Sequence, residues 1–393
     1  MTPADLSRTV LHAVRRAVDE GVLAGPVPTS VQVGRPGPGG SGDYATSVAL
    51  RLAGPARRSP HDVAEILRTE ILRRTQGLSR VDITGPGFLN FTLAPAGRTA
   101  LVRAVLDAGI RYGHGDALAG TTVVLAPAAE LRAAVQTETV LRLLRAQGAD
   151  ARTGADATER LSVRPVPAAL AGDLFARLGP DAARWGLLRP AAHDRPATGD
   201  GLLVQHESNP LFTVRYAHAR TRALVRNAAA LGIPGDGAGS CPESPVWPTA
   251  SGTRARGVVG VAQVRPVRER SSAVRSHAPD AVGPAPWADD ATSRTRPRAE
   301  AVEPAARALL DSIGDHPGVL AAAARLRAPD RVARHLERTA EAFLHFQETC
   351  RPLPAGDEKP SAAHRSRLAL AEAAGTVLAG GLTLLGVDAP AHL

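Results

Sequence analysis

Between Asn209 and Ile233, four cationic side chains, Arg215, His218, Arg222 and Arg226, recur at i, i+3, i+7 and i+11. On a helix that spacing stacks them in a row, and a row of guanidinium groups suits the phosphates of a polyanion. The same row also fits an ordinary solvated basic face. Reactive constellations are scarce elsewhere. His193 and His206 fall in loop sequence without a partner at a spacing useful for a metal or a general base. Cys241 and Cys350 lie far apart, which supports neither a disulfide framework nor a cysteine zinc site and fits a reducing cytosol. Lys359 is the only lysine, so a phosphate-binding loop of the Walker type is excluded. The residues therefore predict no catalytic group, no cofactor and no metal.

The element carrying the row reads clearly as a helix. Asn209 offers a cap, Pro210 suits a first turn, and Gly232 with Pro234 supplies a stop. Leu211, Val214, Leu224, Val225 and Ala228 form its apolar stripe. The 393 residues suggest two or three domains. Hydrophobic content of 44% against 3% aromatics predicts cores of Ala, Leu and Val. A net charge of +9 is compatible with a polyanionic partner. The abundance of Arg, Ala, Gly and Pro with a single lysine is also what a GC-rich genome produces, so basicity by itself says little. No uninterrupted run of about 18 apolar residues and no signal-peptide pattern is present, which predicts a soluble, cytoplasmic protein with no membrane partner.

In chain order, a helix is expected over 3–22 and a short strand at Ser30–Val33. Gly42-Asp43-Tyr44-Ala45-Thr46 is read as opening a helix with Val48, Leu50 and Leu52. Another helix follows from Ser59 to about Arg74. Strands at Val81–Thr84 and Phe88–Leu93 are joined by Gly85-Pro86-Gly87. Thr121–Leu125 reads as a buried strand, Glu130–Ala146 as a helix, and Arg164–Leu178 as another helix. From Pro234 to 298 the composition turns to Pro, Gly, Ser and Arg with mixed charge, and disorder is expected; Trp247 and Trp287 sit in that tract. Helices are then expected at Pro304–Ile313, Gly318–Ala328, Asp330–Cys350 and Ser361–Leu385.

Several stretches resemble the arginyl-tRNA synthetases. Asn209-Pro210 followed by Tyr216-Ala217-His218-Ala219-Arg220 is similar to the opening of that family's helical anticodon-binding domain. GDYATSVALRLAGPA and VDITGPGFLNFTL, over 42–56 and 81–93, resemble the two hallmark segments of its N-terminal domain. Residues 342–351, 361–370 and 385–390 look like the end of the anticodon domain, with Gln347 where the family usually has tyrosine. The resemblance implies an α+β chain: a small N-terminal α+β domain at 1–95, a reduced α/β remnant of a nucleotide-binding fold at 96–200, and an all-α bundle of anticodon-binding type. The bundle would comprise 201–233 and 299–393, interrupted by the insert at 234–298.

In that family the first strand of the catalytic fold ends in a His-x-Gly-His signature that holds ATP phosphates. Here the place reads Ala126-Pro127-Ala128-Ala129-Glu130, and the family's lysine-rich loop has no counterpart. The expected function is tRNA binding without aminoacylation by a monomer. Arg215, Tyr216, His218, Arg220, Arg222 and Arg226 are expected at the anticodon side, and Phe88 and Asn90 at the tRNA elbow. Two alternatives remain: a structural or regulatory chain that contacts a protein partner, and a tRNA-dependent transferase with a rebuilt site. Segment 301–393 holds ten basic and eleven acidic residues, which argues against strong non-specific RNA binding there.

Overall fold

The computed structural model describes residues 1–73, 75–233 and 296–393. The expected disordered insert, with Trp247 and Trp287, lies outside the described residues up to position 295. At the N-terminus, α1 (Pro3–Asp19) is started by a reciprocal cap: Thr2 accepts the Asp5 N–H and Asp5 accepts the Thr2 N–H. It packs with α3 (Pro60–Leu72) on a three-stranded antiparallel sheet of order β1-β3-β2, where β1 is Tyr44–Thr46, β2 Leu78–Thr84 and β3 Phe88–Leu93. Leu6, Val10, Val14, Val63, Leu67, Leu89 and Phe91 make the core.

Two expectations are corrected in this domain. The stretch 30–33 is not a strand; its neighbour Gly34 makes an isolated bridge with Ala45. Tyr44–Thr46 is a strand rather than a helix start, and α2 (Val48–Ala56) begins only after it. The reason is Asp43, buried with its carboxylate accepting the Leu93 N–H at 2.6 Å, which pins the segment alongside β3.

After α4 (Pro95–Ala108), a single β-α-β unit follows. β4 (Thr122–Leu125) and β5 (Asp150–Thr153) pair in parallel, and α5 (Leu131–Ala146) is the crossover. Its hub is Arg132, fully buried. With no carboxylate among the described residues hydrogen-bonded to it, the guanidinium donates to the carbonyls of Leu187, Arg164, Asp194, Pro190 and Ala191 at 2.7–3.0 Å. The expected helix over 164–178 is broken into α6 (Ala168–Ala171) and the start of α7 (Leu174–Leu188). Pro165 and Pro167 remove donors, and the Arg164 and Val166 N–H groups bond to Ala192 O and Glu130 Oε1 instead. α7 itself bends at Gly179, whose φ of 74° is open to glycine.

The helical bundle consists of α8 (Pro210–Ala230), α9 (Arg296–Leu326), α10 (Asp330–Thr349) and α11 (Ala362–Leu385). α9 is one helix where two were expected; it runs through Pro304 and Pro317. Tertiary packing outweighs the breakers: Leu309, Leu310, Ile313 and Leu320 are buried, and Gly314 lies so close to the Tyr44 hydroxyl that a Cβ there would sit 2.1 Å from it. α11 is long and apolar enough to cross a membrane by length and composition. However, 78% of its most apolar window is buried in the bundle, so it is the core helix.

The N-terminal domain docks on α9 through polar bridges. Arg35 reaches Asp311 and Asp315 at 2.7 and 2.8 Å, and Arg307 reaches Asp43 at 2.9 Å; Arg98 of the following α4 adds a pair with Glu303 at 2.8 Å. Nearby, His316 is stacked between Tyr112 and His335, and neither of its ring nitrogens has a partner among the described residues.

These features set two tests. Arg132→Leu strands several buried carbonyls and is expected to cost about 3–5 kcal/mol. Arg132→Lys is expected to rescue little, because an ammonium cannot reproduce the planar fork. Denaturation midpoints equal to wild type contradict this role. Burial lowers the His316 pKa to about 3 and pushes His335 well below 6.5; a neighbouring positive charge on His114 adds to the effect at His316, and those on His316 and Arg338 add to it at His335. The folded state therefore holds both neutral while the unfolded chain protonates them near pH 6.5. Stability is complete above about pH 6.5 and falls as pH drops toward 3, by at most about 1.4 kcal/mol per pH unit per histidine. Melting temperatures between neutral pH and pH 5 should decline less steeply for His316→Phe/His335→Phe than for wild type; equal slopes refute the assignment.

Candidate nucleic-acid interface

The start of α8 is fixed by Asn209. Its side-chain oxygen accepts the Leu211 N–H at 3.1 Å, and its amide donates to Leu202 O and Val204 O at 2.8 and 2.9 Å. Leu211, Val214, Ala217, Leu224 and Ala228 are buried against the bundle. The approach of α11 is close: a Cβ on Gly375 would meet Thr221 Oγ1 at 2.2 Å, so glycine is required for the two helices to meet here. Packing of this kind decides which α8 side chains stay available.

The predicted cationic row does not emerge as one open ridge. His218 is 5% exposed, and its Nδ1 is 2.9 Å from Pro390 O, consistent with donation to that carbonyl. Burial lowers its pKa despite that bond, with Arg222 adding to the effect. Arg215 is half-buried and 3.6 Å from Asp181, whose carboxylate also accepts the Asp388 N–H at 3.0 Å. Arg226 donates to Ala391 O at 3.2 Å and lies 3.3 Å from His392 Nδ1. Residues 388–392 therefore lie along this flank: His218 and Arg226 bond to them directly, and Arg215 pairs with the Asp181 that holds Asp388. Arg222 is exposed and has no hydrogen-bond or ion-pair partner among the described residues.

A neighbouring flank is open. Phe212, Tyr216 and Arg220 fall at i, i+4 and i+8, so they share a face. The rings of Phe212 and Tyr216 stack at 5.7 Å with an interplanar angle of 17°, and Tyr216 is 40% exposed. Arg220 Nε donates to Gln347 Oε1 of α10 at 3.3 Å. The result is an aromatic platform with a guanidinium and a carboxamide beside it, a set that can stack a base, hydrogen-bond its edge and pair with phosphate. Phe212 was not singled out from sequence, although its four-residue spacing from Tyr216 carried the signal.

In the N-terminal domain the two expected residues separate. Phe88 is 40% exposed at the start of β3. Asn90 is 1% exposed, and its amide donates to Thr84 Oγ1 at 2.7 Å and to Phe88 O at 3.3 Å. It shapes the hairpin that presents Phe88, and is itself shielded from any external partner.

The helix N-terminus after β4 is internally filled. Glu130 caps α5: Oε2 accepts the Ala133 N–H at 2.7 Å, while Oε1 accepts the Val166 N–H at 2.9 Å. A helix N-terminus is a natural anion site, and here the anion is the chain's own carboxylate. Sequence reasoning placed Glu130 at this spot but did not see it as a cap, because glutamate is not among the preferred cap residues.

Two family models match the two ends of the chain. The Arginyl tRNA synthetase N terminal domain matches residues 5–93, and the DALR anticodon binding domain matches 287–393. An arginine–tRNA ligase of Frankia alni is 29% identical in an alignment that covers all of both chains. That alignment runs over 609 positions against 393 residues here, so this chain is gapped over a large part of it. An arginine–tRNA ligase of Pseudarthrobacter chlorophenolicus is 27% identical, again over the whole of both. Among solved structures, Thermus thermophilus arginyl-tRNA synthetase superposes with a TM-score of 0.57 at 12% identity, covering all of both chains. The Plasmodium falciparum enzyme gives 0.54 at 8%, covering 100% of this chain and 99% of that one. The chain is an arginyl-tRNA synthetase-related protein, with that family's N-terminal domain at one end and a DALR anticodon-binding domain at the other.

Proposed function

We propose that this chain binds tRNA and does not charge it. The observation that carries the second half is the Glu130 cap. In the resembled enzymes the turn between this strand and helix holds ATP phosphates; here two carboxylate oxygens take the N–H groups of Ala133 and Val166. A nucleotide phosphate would have to displace a bonded anion and then sit beside it, which is unfavourable on both counts. The parallel sheet next to it has two strands among the described residues, a small platform on which to build a nucleotide site. With Lys359 the only lysine, the lysine-rich loop that stabilises transferring phosphates in that family has no counterpart.

The first half rests on the α8–α10 surface and the DALR match. Tyr216 with Phe212 offers a stacking face, Arg220 with Gln347 a polar edge, and Arg222 an exposed cation with no ion pair among the described residues. Phe88 offers an exposed ring in the N-terminal domain, the part that contacts the tRNA elbow in the resembled family. His218, Asn90, Arg215 and Arg226 act through packing in this reading, not through contact with RNA. The tRNA would be gripped by shape and a few splayed bases rather than by a strong general field, in keeping with the balanced charge of 301–393. A monomer in the cytoplasm is the state this reading assumes.

Titration with a tRNA transcript tests the surface. Tyr216→Ala is expected to weaken binding by about 1–3 kcal/mol with little change in salt dependence. Arg220→Gln/Arg222→Gln should lower the slope of log K against log salt by about one unit per lost phosphate contact. Unchanged curves for all of these retire α8 as the site. ATP–pyrophosphate exchange, with arginine and tRNA present, is expected to stay at background for wild type and for Glu130→Gln; exchange above background in wild type refutes the non-catalytic reading.

A further inference from the structure

Away from the α8 surface, a cleft of about 520 Å³ opens between the N-terminal domain and the α9–α10 pair. Arg331, Arg334 and Arg338 of α10 face it from one side. They recur at i, i+3 and i+7, so they form a row on one face over the first turns of the helix. Arg35 closes the other side, held over the Tyr44 ring at 4.8 Å and bonded to Asp311, Asp315 and the Asp43 carbonyl. The row lies on a different face of α10 from Gln347, so the cleft is distinct from the Tyr216–Arg220 surface.

The cleft carries an excess of cationic side chains. Its lining holds four arginines against Asp315 and Asp330. Arg35 is neutralised by Asp311 and Asp315 at 2.7 and 2.8 Å, and Arg334 is partly compensated by Asp330 at 3.6 Å. Arg331 and Arg338 are exposed and make no hydrogen bond or ion pair within 4 Å among the described residues, although the positive charge of Arg338 does act on Asp315 from farther away. Two guanidinium groups thus point into a concave, glycine-floored space, where Gly318 has nothing within 4 Å of a would-be Cβ. Such a site repels further cations and offers forked donors that match phosphate oxygens. It has no ring to stack on a base, since Tyr44 is buried beneath Arg35. It is suited to charge rather than to base identity.

We propose that this interdomain cleft takes phosphodiester groups of the RNA backbone, using Arg331 and Arg338 as the contacts and Arg334 as support. The inference rests on the tRNA-binding reading above. A mononucleotide is the other source of the same phosphate chemistry. The backbone is favoured because the cleft spans two domains that both belong to a tRNA-binding family and lacks any group to hold a base or sugar by stacking.

The test compares intact wild type with Arg331→Gln/Arg338→Gln and, as a control for net charge, with Arg57→Gln/Arg58→Gln on exposed positions of the N-terminal domain. Each is titrated with a tRNA transcript over a range of salt, and separately with ATP at matched ionic strength. The cleft variant is expected to bind tRNA about tenfold more weakly, with a salt slope lower by about one to two units, and the control to behave as wild type. Melting temperatures confirm that both variants fold; a charge-reversing Arg338→Glu should weaken binding further. If wild type binds tRNA and the cleft variant matches it, the cleft is refuted while the tRNA reading stands. Equal losses in cleft and control variants also overturn it, in favour of net charge. Loss of ATP binding with tRNA binding intact assigns the cleft to a mononucleotide instead. If wild type binds no tRNA, the underlying reading fails and this inference with it.

Discussion

Arg132 is a charged side chain sealed inside the protein with backbone carbonyls as its hydrogen-bond partners. Taking a guanidinium out of water costs several kcal/mol unless each N–H finds an acceptor. The chain meets that demand by curling 187–194 and the 164 segment around it. The curl brings α7 against α5 and sets the path that runs on through the 3-10 turn at Asp200–Leu203 to Asn209. Asn209 then caps α8 while holding Leu202 O and Val204 O. The position of the aromatic and cationic face of α8 is thus linked, through successive polar bonds, to one buried cation in the β-α-β unit.

That unit has a structural use independent of any nucleotide. α5 packs on α7, α9 and α11, Arg142 donates to Leu384 O at 2.8 Å, and Arg184 pairs with Glu138 at 2.9 Å. Its helix N-terminus, the part of such a unit that ordinarily attracts a phosphate, is spent on Glu130. The same residue anchors Val166 and so helps close the loop around Arg132. Helix capping and loop closure are therefore one arrangement, and the two flanking domains are joined directly by the Arg35 and Arg307 bridges.

The helices with strong periodicity were legible from sequence: α8 with its Asn209 cap, α10, and α11 between Ser361 and Gly386 match their expected bounds closely. What the pattern could not show was competition between local signals and packing. Pro317 and Gly318 read as a break, yet α9 continues because its Gly314 seats Tyr44 and its aspartates bind Arg35. For the cationic row, spacing placed Arg215, His218, Arg222 and Arg226 on one face correctly. It could not reveal that residues 388–392, far away in sequence, lie along that face. Asn90 and Phe88 share a strand, but only burial distinguishes the hairpin's brace from its exposed ring. Arg132 was invisible as a hub because arginine is ordinarily a surface residue.

In the proposed function a tRNA is held by a chain whose turn after β4 is capped by Glu130. The most direct test is to crosslink RNA to the intact protein in cells, sequence the RNA and map the attached peptide. tRNA is expected as the dominant species, with the crosslink in the α8 segment that carries Phe212 and Tyr216. Protein that carries no RNA, or RNA other than tRNA attached away from α8, contradicts that function.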